Sequence, residues 1–239
     1  VFGASAGVGR ALARALAAAG HDLVLLARDG ADVTAEAAHL RAMFAVAAEG
    51  CAVDAVPAAG LPAALAGILA GPPIDVLAFP LGLSDRGDDG VLAPERVAAL
   101  VDANLTAVMV VTSLVLPEML ARGSGGVVGF GSVAAIRGRS SNVAYAAAKR
   151  GLESFFESLR HRTSGTGVRV QFYRLGYVAT QMSFGMKLPF PAVSPEYVAR
   201  RVVAGLGRDR GLVHVPGYWR AIGLALMAVP WRLYRRMKF

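Results

Sequence analysis

The chain has 239 residues, enough for one α/β domain with a large core; 55% are hydrophobic and only 18% charged. The formal charge of +8 is lodged at one end: between residues 199 and 239, Arg200, Arg201, Arg208, Arg210, Arg220, Arg232, Arg235, Arg236 and Lys238 face Asp209 alone, so an anionic partner would meet the tail rather than the whole surface. Cys51 is the single cysteine, which excludes an internal disulfide and fits a reducing compartment as a buried thiol, and no unbroken apolar run reaches the ~20 residues of a membrane-spanning helix.

In chain order, Val1-Phe2 reads as the end of a strand; the natural chain is expected to begin earlier, with or without a leader. Residues 7–19 form an alanine-rich helix closed by Gly20, and 21–27 a continuous apolar strand of the buried parallel kind. A helix over 33–48, a short strand over 51–53 and a helix over 61–70, broken by Gly71-Pro72-Pro73, follow. Residues 74–79 are the fourth strand and 83–90 a polar loop, and 94–122 holds two helical runs. Then come a strand over 126–131, a helix over 143–162, a strand over 168–173, a long loop over 176–194, a helix over 195–206, a strand over 212–215 and an apolar helix over 219–229. This alternation predicts a single doubly wound, Rossmann-type α/β domain spanning 1–239: a parallel seven-stranded sheet with helices on both faces. No linker, repeat or metal-binding spacing of His21, His39, His161 or His214 interrupts it.

Two stretches carry chemistry. Tyr145 and Lys149 are four apart, one turn apart on one helical face. A free phenol titrates near ~10; an ammonium beside it favours the phenolate and turns the pair into a general acid/base. Ser132 lies thirteen positions before Tyr145 and ends the apolar strand, where its hydroxyl can face the helix and polarise a substrate oxygen. At the other end, Gly3-Ala4-Ser5-Ala6-Gly7-Val8-Gly9 joins a strand to a helix. Glycines there let the backbone turn and approach a pyrophosphate, with the free N–H groups of the helix facing the phosphates. Ser5 either bonds a phosphate or braces the turn.

Together, the glycine-rich turn and the Ser132, Tyr145, Lys149 set resemble the short-chain dehydrogenase/reductase family over nearly the whole chain. The resemblance implies reversible hydride transfer between a nicotinamide and a carbonyl or alcohol carbon. Tyr145 would exchange the proton, Ser132 orient the oxygen, and Lys149 lower the phenol pKa and hold the nicotinamide ribose. It implies that Asn104 holds a relay water through its main chain, and that Val178 and Thr180 in Gly176-Tyr177-Val178-Ala179-Thr180 hold the nicotinamide carboxamide, with Leu175 standing where the family has proline. Val8 belongs to the same cofactor contact set as Gly3, Gly7 and Gly9. Arg28, after the second strand, suits the 2′-phosphate of NADP(H) over NAD(H), although Asp29 follows it directly. Asp54 reads either as an adenine-contacting acid or as a turn cap. Positions 79–82, Asn-Asn-Ala-Gly in the family, are Phe79-Pro80-Leu81-Gly82 here, keeping only Gly82.

Residues 181–194 are expected to close over the substrate, with Met182, Phe184, Met186, Leu188 and Phe190 either lining an apolar site or packing on the core. Residues 217–239, a basic amphipathic tail with Trp219 and Trp231 at the ends of its apolar part, read either as an interfacial segment on anionic lipid or as an oligomer contact or flap. The tail and the apolar 79–81 stretch resemble the branch of the family that reduces a keto-pentose on a polyprenyl phosphate. The resulting expectation is a ketoreductase acting on a small-molecule or lipid-linked carbonyl. It would be a homodimer or homotetramer paired around Asn104 and Tyr145, cytoplasmic or peripheral to the inner face of a membrane, with no nucleic-acid partner. A non-catalytic dinucleotide-binding scaffold, or a peripheral membrane protein using the tail, is the alternative.

Overall fold

In the computed structural model, residues 1–237 are described; Lys238 and Phe239, the last residues of the expected tail, lie outside them. Among the described residues, six strands form two parallel sheets, one of β1 (Leu23–Ala27) and β2 (Ala48–Ala52), the other in the order β3 (Val76–Phe79), β4 (Gly125–Ser132), β5 (Val168–Leu175), β6 (Gly211–Val215). This departs from the seven-stranded expectation for a local reason. Val1-Phe2 sits between the two sheets: Phe2 bridges Leu26 of β1, and its N–H donates to Ala78 O of β3 at 2.9 Å. Two residues make a bridge but no ladder, so they join the halves without counting as a strand.

Along each strand, side chains alternate between two cores. Ala78, Val128, Phe130 and Tyr173 face α1 (Gly7–Ala18), α2 (Gly30–Phe44) and α7 (Pro195–Val203). Leu77, Phe79, Val127 and Phe172 face α3 (Leu61–Leu69), α5 (Ala107–Arg122) and α6 (Val143–Arg162). The expected two runs of 94–122 are one helix of α4 (Pro94–Val101), a π turn (Asp102–Thr106) and α5. By length and composition this 29-residue helix could cross a membrane, as the reading of unbroken runs did not anticipate; here Ala107, Val108, Val111, Val115 and Met119 are buried against the sheet. α8 (Trp219–Ala228) and α9 (Trp231–Tyr234) close the described chain. Cys51 is half-buried rather than buried, its thiol pushed up by burial and by the Glu49 carboxylate.

Candidate active site

The C-terminal ends of the strands carry the loops that meet here. Between Phe2 and α1 the chain turns at Gly3, with φ +99°. A Cβ at Gly3 would fall 2.7 Å from the Leu81 backbone, and one at Gly9 1.8 Å from Gly3 O, so this approach admits no side chain. Ala6 precedes α1 and offers no side-chain cap, leaving the first N–H groups of the helix for a ligand. Thr180 stands against the turn, 3.0 Å from where a Gly7 Cβ would be, and a capping box with Ser183 holds it. Val178 is buried and bridges Val193. Gly3, Gly7, Gly9 and Thr180 therefore meet in one tight turn beside an open helix N-terminus, which fits a dinucleotide pyrophosphate; Ser5 and Val8 belong to the same turn and first helical residues, and Val178 precedes Thr180. A cleft of about 900 Å³ opens from Gly7 and Thr180 between α1, the 181–194 loop and α7. Ser132, Tyr145 and Lys149 do not line it, so it extends away from those three residues.

Arg28 is exposed at the end of β1, and no hydrogen bond or ion pair holds its guanidinium among the described residues. Its neighbour Asp29 is engaged: that carboxylate caps α2 by accepting from the Asp32 N–H at 3.1 Å. Asp54 accepts from the Val56 N–H at 3.0 Å, so at least one of its oxygens braces a turn.

Ser132 ends β4 and accepts from the Ala134 N–H at 3.1 Å. Its side chain lies beside the Tyr145 phenol and favours the ionised form of that group. Lys149 is 4% exposed, and its Nζ donates to Phe130 O at 3.1 Å and Leu81 O at 3.4 Å. Its ammonium is thus drawn under the ends of β3 and β4. Burial lowers its pKa to about 8. The phenol differs from expectation. Burial raises the Tyr145 pKa, and the Ser132 side chain and the Arg139 charge oppose this.

Asn104 is fully buried in the π turn. Its side chain accepts from the Leu83 N–H at 3.3 Å and donates to Leu83 O at 2.7 Å and Leu100 O at 2.9 Å. Gly82 lies between Asn104 and Lys149: its Cβ would be 3.2 Å from Asn104 Oδ1 and 3.6 Å from Lys149 Nζ. Where the family has asparagines, Phe79 fills the core, and Asn104 ties down the strand end instead.

Two participants were not singled out in the sequence. Asp88 is 2% exposed, and its carboxylate accepts from the Ala144 and Tyr145 N–H groups, each at 2.9 Å. It caps the helix that carries Tyr145 in place of Asn142, whose side chain makes no cap bond. No local spacing announces a cap donated from so far along the chain. Arg139 lies inside the Ser132–Tyr145 stretch, but nothing in its neighbours marks it; its Nε is buried with no hydrogen-bond partner among the described residues.

Comparison with known proteins agrees with this geometry. Residues 1–187 match the model of the short chain dehydrogenase family. An uncharacterized oxidoreductase of Mycobacterium tuberculosis strain H37Rv is 35% identical, covering 99% of this chain and 95% of its own. A ketoacyl reductase of Nostoc is 33% identical over 56% of this chain and 48% of its own. The structure of a short-chain dehydrogenase from Sphingobium yanoikuyae in complex with NADPH superposes with a TM-score of 0.83 at 26% identity, covering 100% of this chain and 95% of that one. The chain belongs to the short-chain dehydrogenase/reductase family and has its Rossmann-like α/β fold.

Proposed function

We propose that this NAD(P)-dependent oxidoreductase of the short-chain family is an NADPH-preferring ketoreductase that interconverts a ketone and a secondary alcohol. The observation that carries the reading is the Ser132 side chain beside the Tyr145 phenol at the end of β4, with the buried Lys149 ammonium held by Phe130 O of the same strand. A bound dinucleotide supplies the hydride. Ser132 orients and polarises the carbonyl oxygen. Tyr145 gives that oxygen its proton. The Lys149 ammonium keeps the site positive and is available to ribose hydroxyls, and Asn104 fixes the strand end beside it.

The NADPH preference rests on Arg28. Capping α2 occupies Asp29, which leaves the guanidinium as the free charge where a 2′-phosphate would lie. The NADPH complex of the Sphingobium enzyme is consistent with it. Exposed Met182, Phe184, Met186 and Phe190 on the 181–194 loop support an apolar or lipid-linked carbonyl substrate, and the likeness to a ketoacyl reductase supports the direction of reduction. The same proposal includes a homodimer or homotetramer through the outer faces of the helices bearing Asn104 and Tyr145, where Val97 and Met109 are exposed, working in the cytoplasm.

The test is absorbance loss of NADPH, and separately NADH, with a panel of apolar ketones and keto-sugars. Tyr145→Phe should lower turnover by at least about a thousandfold, at the upper range of one general acid, while NADPH binding by fluorescence stays unchanged. Near-normal turnover in that variant excludes the mechanism. NADPH binding with no turnover in the unaltered chain points to the scaffold reading, which the apolar Phe79 and Pro80 favour.

A further inference from the structure

The C-terminal helices have two unlike sides. Inward, Trp219 is 4% exposed in a cluster with Tyr177, Tyr218 and Phe190, so it is not the interfacial tryptophan expected of it. Gly223 is buried beside Ile136, which a Cβ there would approach to 3.0 Å. Arg137 clamps the segment: its Nη1 donates to Leu226 O at 2.5 Å and Val229 O at 2.6 Å, and its guanidinium lies 3.9 Å over the Tyr234 ring. The Tyr234 hydroxyl donates to Gly138 O at 2.7 Å. The tail is therefore fastened to the loop between Ser132 and Tyr145.

Outward, Leu224 is 66% exposed, Met227 54%, Trp231 66% and Leu233 58%. Arg220, Arg232, Arg235 and Arg236 are exposed among them, and no acid lies between residues 217 and 237. None of these four arginines forms an ion pair among the described residues. Phe190 of the 181–194 loop packs near Tyr218 and Trp219, so this part-exposed ring adjoins the tail.

We propose that this outward side is a docking surface for an anionic lipid bilayer. Charge decides between occupants. A second copy seated symmetrically would bring its own arginines against these, like charge on like. Nucleic acid would satisfy the arginines but leave Leu224, Met227, Trp231 and Leu233 without apolar partners. A bilayer of acidic lipid meets both: side chains enter the acyl boundary while guanidinium groups stay at the headgroups. Because Arg137 ties the tail to the catalytic loop, docking would hold the mouth of the site at the lipid surface. The surface itself does not depend on the reductase reading, and its test needs no substrate.

The test is co-sedimentation of the full chain with vesicles of phosphatidylcholine, against vesicles with a third of the lipid replaced by phosphatidylglycerol. Binding is expected only to the acidic vesicles and should weaken as salt rises. An Arg232→Glu, Arg235→Glu, Arg236→Glu variant should lose on the order of a hundredfold in partitioning. A Leu224→Ser, Trp231→Ser variant should lose at least about tenfold, with an unchanged thermal transition showing that it folds. Equal binding to neutral vesicles, no binding to either, or acidic binding that survives both variants overturns the proposal. So does a tail-dependent self-association in sedimentation velocity that vesicles do not compete.

Discussion

Tyr145 is held by opposing influences, and pH should separate them. Burial raises the phenol, so it remains a proton donor through neutral and mildly alkaline pH. Lys149, lowered to about 8 by burial, is charged below that value and neutral above it. Carbonyl reduction that needs the ammonium is therefore present at neutral pH and falls as pH rises through about 8, so the alkaline limb of the rate profile belongs to Lys149. A Lys149→Arg variant stays charged and, whatever its absolute rate, should lack that limb. Arg139 acts in the other direction. Removing its charge in Arg139→Gln takes away support for the phenolate, so alcohol oxidation, which needs the deprotonated phenol, should shift its profile to higher pH. A profile of Arg139→Gln superimposable on the unaltered enzyme would exclude this role. At this scale the sequence was legible where spacing encodes chemistry, as in Tyr145, Lys149 and the glycine turn. It was silent where the third dimension decides, as in the burial that raises the Tyr145 phenol and the Arg139 charge that opposes it.

The helix bearing Tyr145 shows how an element is placed. Its bounds, Val143–Arg162, could be read directly from the sequence, because an extended apolar pattern with basic residues in the last turn marks it. Its N-terminal anchor could not, since Asp88 reaches it from a separate loop. A carboxylate on two helix N–H groups also complements the positive end of the helix. Asp88→Ala should therefore cost about 1–2 kcal/mol, or roughly 2–8 °C in Tm for a domain of this size. The Asp88 carboxylate holds the Tyr145 backbone rather than its phenol, so kcat should fall while NADPH affinity holds, and Asp88→Asn, which keeps an acceptor, should recover part of kcat. A loss of stability with kcat intact would make it a structural cap only. Other element boundaries differ from the sequence expectation where strand pairing intervenes. Residues 44–50, Phe-Ala-Val-Ala-Ala-Glu-Gly, suit a helix by composition, yet the chain leaves α2 at Ala45, which takes φ +54° without a glycine, and β2 starts at Ala48 to pair with Leu23. Tertiary pairing overrides propensity there.

Across the molecule, the candidate site lies at the seam where Val1-Phe2 joins the two sheets, at the C-terminal ends of β1, β3 and β4, the place where open α/β sheets leave a crevice. The strand–helix alternation was enough to foresee parallel strands covered on both faces. It could not show that the link between the halves is a single bridge. The same seam explains why asparagines are dispensable at 79 and 80. Phe79 is 1% exposed among Leu77, Val111, Phe156 and Phe172, and Leu81 closes over Gly3, so the sheet is stabilised here by apolar packing. The polar work passes to Asn104, whose amide grips the Leu83 backbone from the neighbouring helix. Restoring the family's residue should therefore harm the chain. Phe79→Asn removes a buried ring and leaves a buried amide short of partners, at a cost of about 3–5 kcal/mol for the ring alone. The thermal transition should fall by on the order of 10 °C, with cofactor affinity dropping only as far as the folded fraction does. If Phe79→Asn instead kept its Tm and bound NADPH more tightly, position 79 would be a cofactor contact held at less than its best, and the division of labour between apolar packing and Asn104 would be wrong.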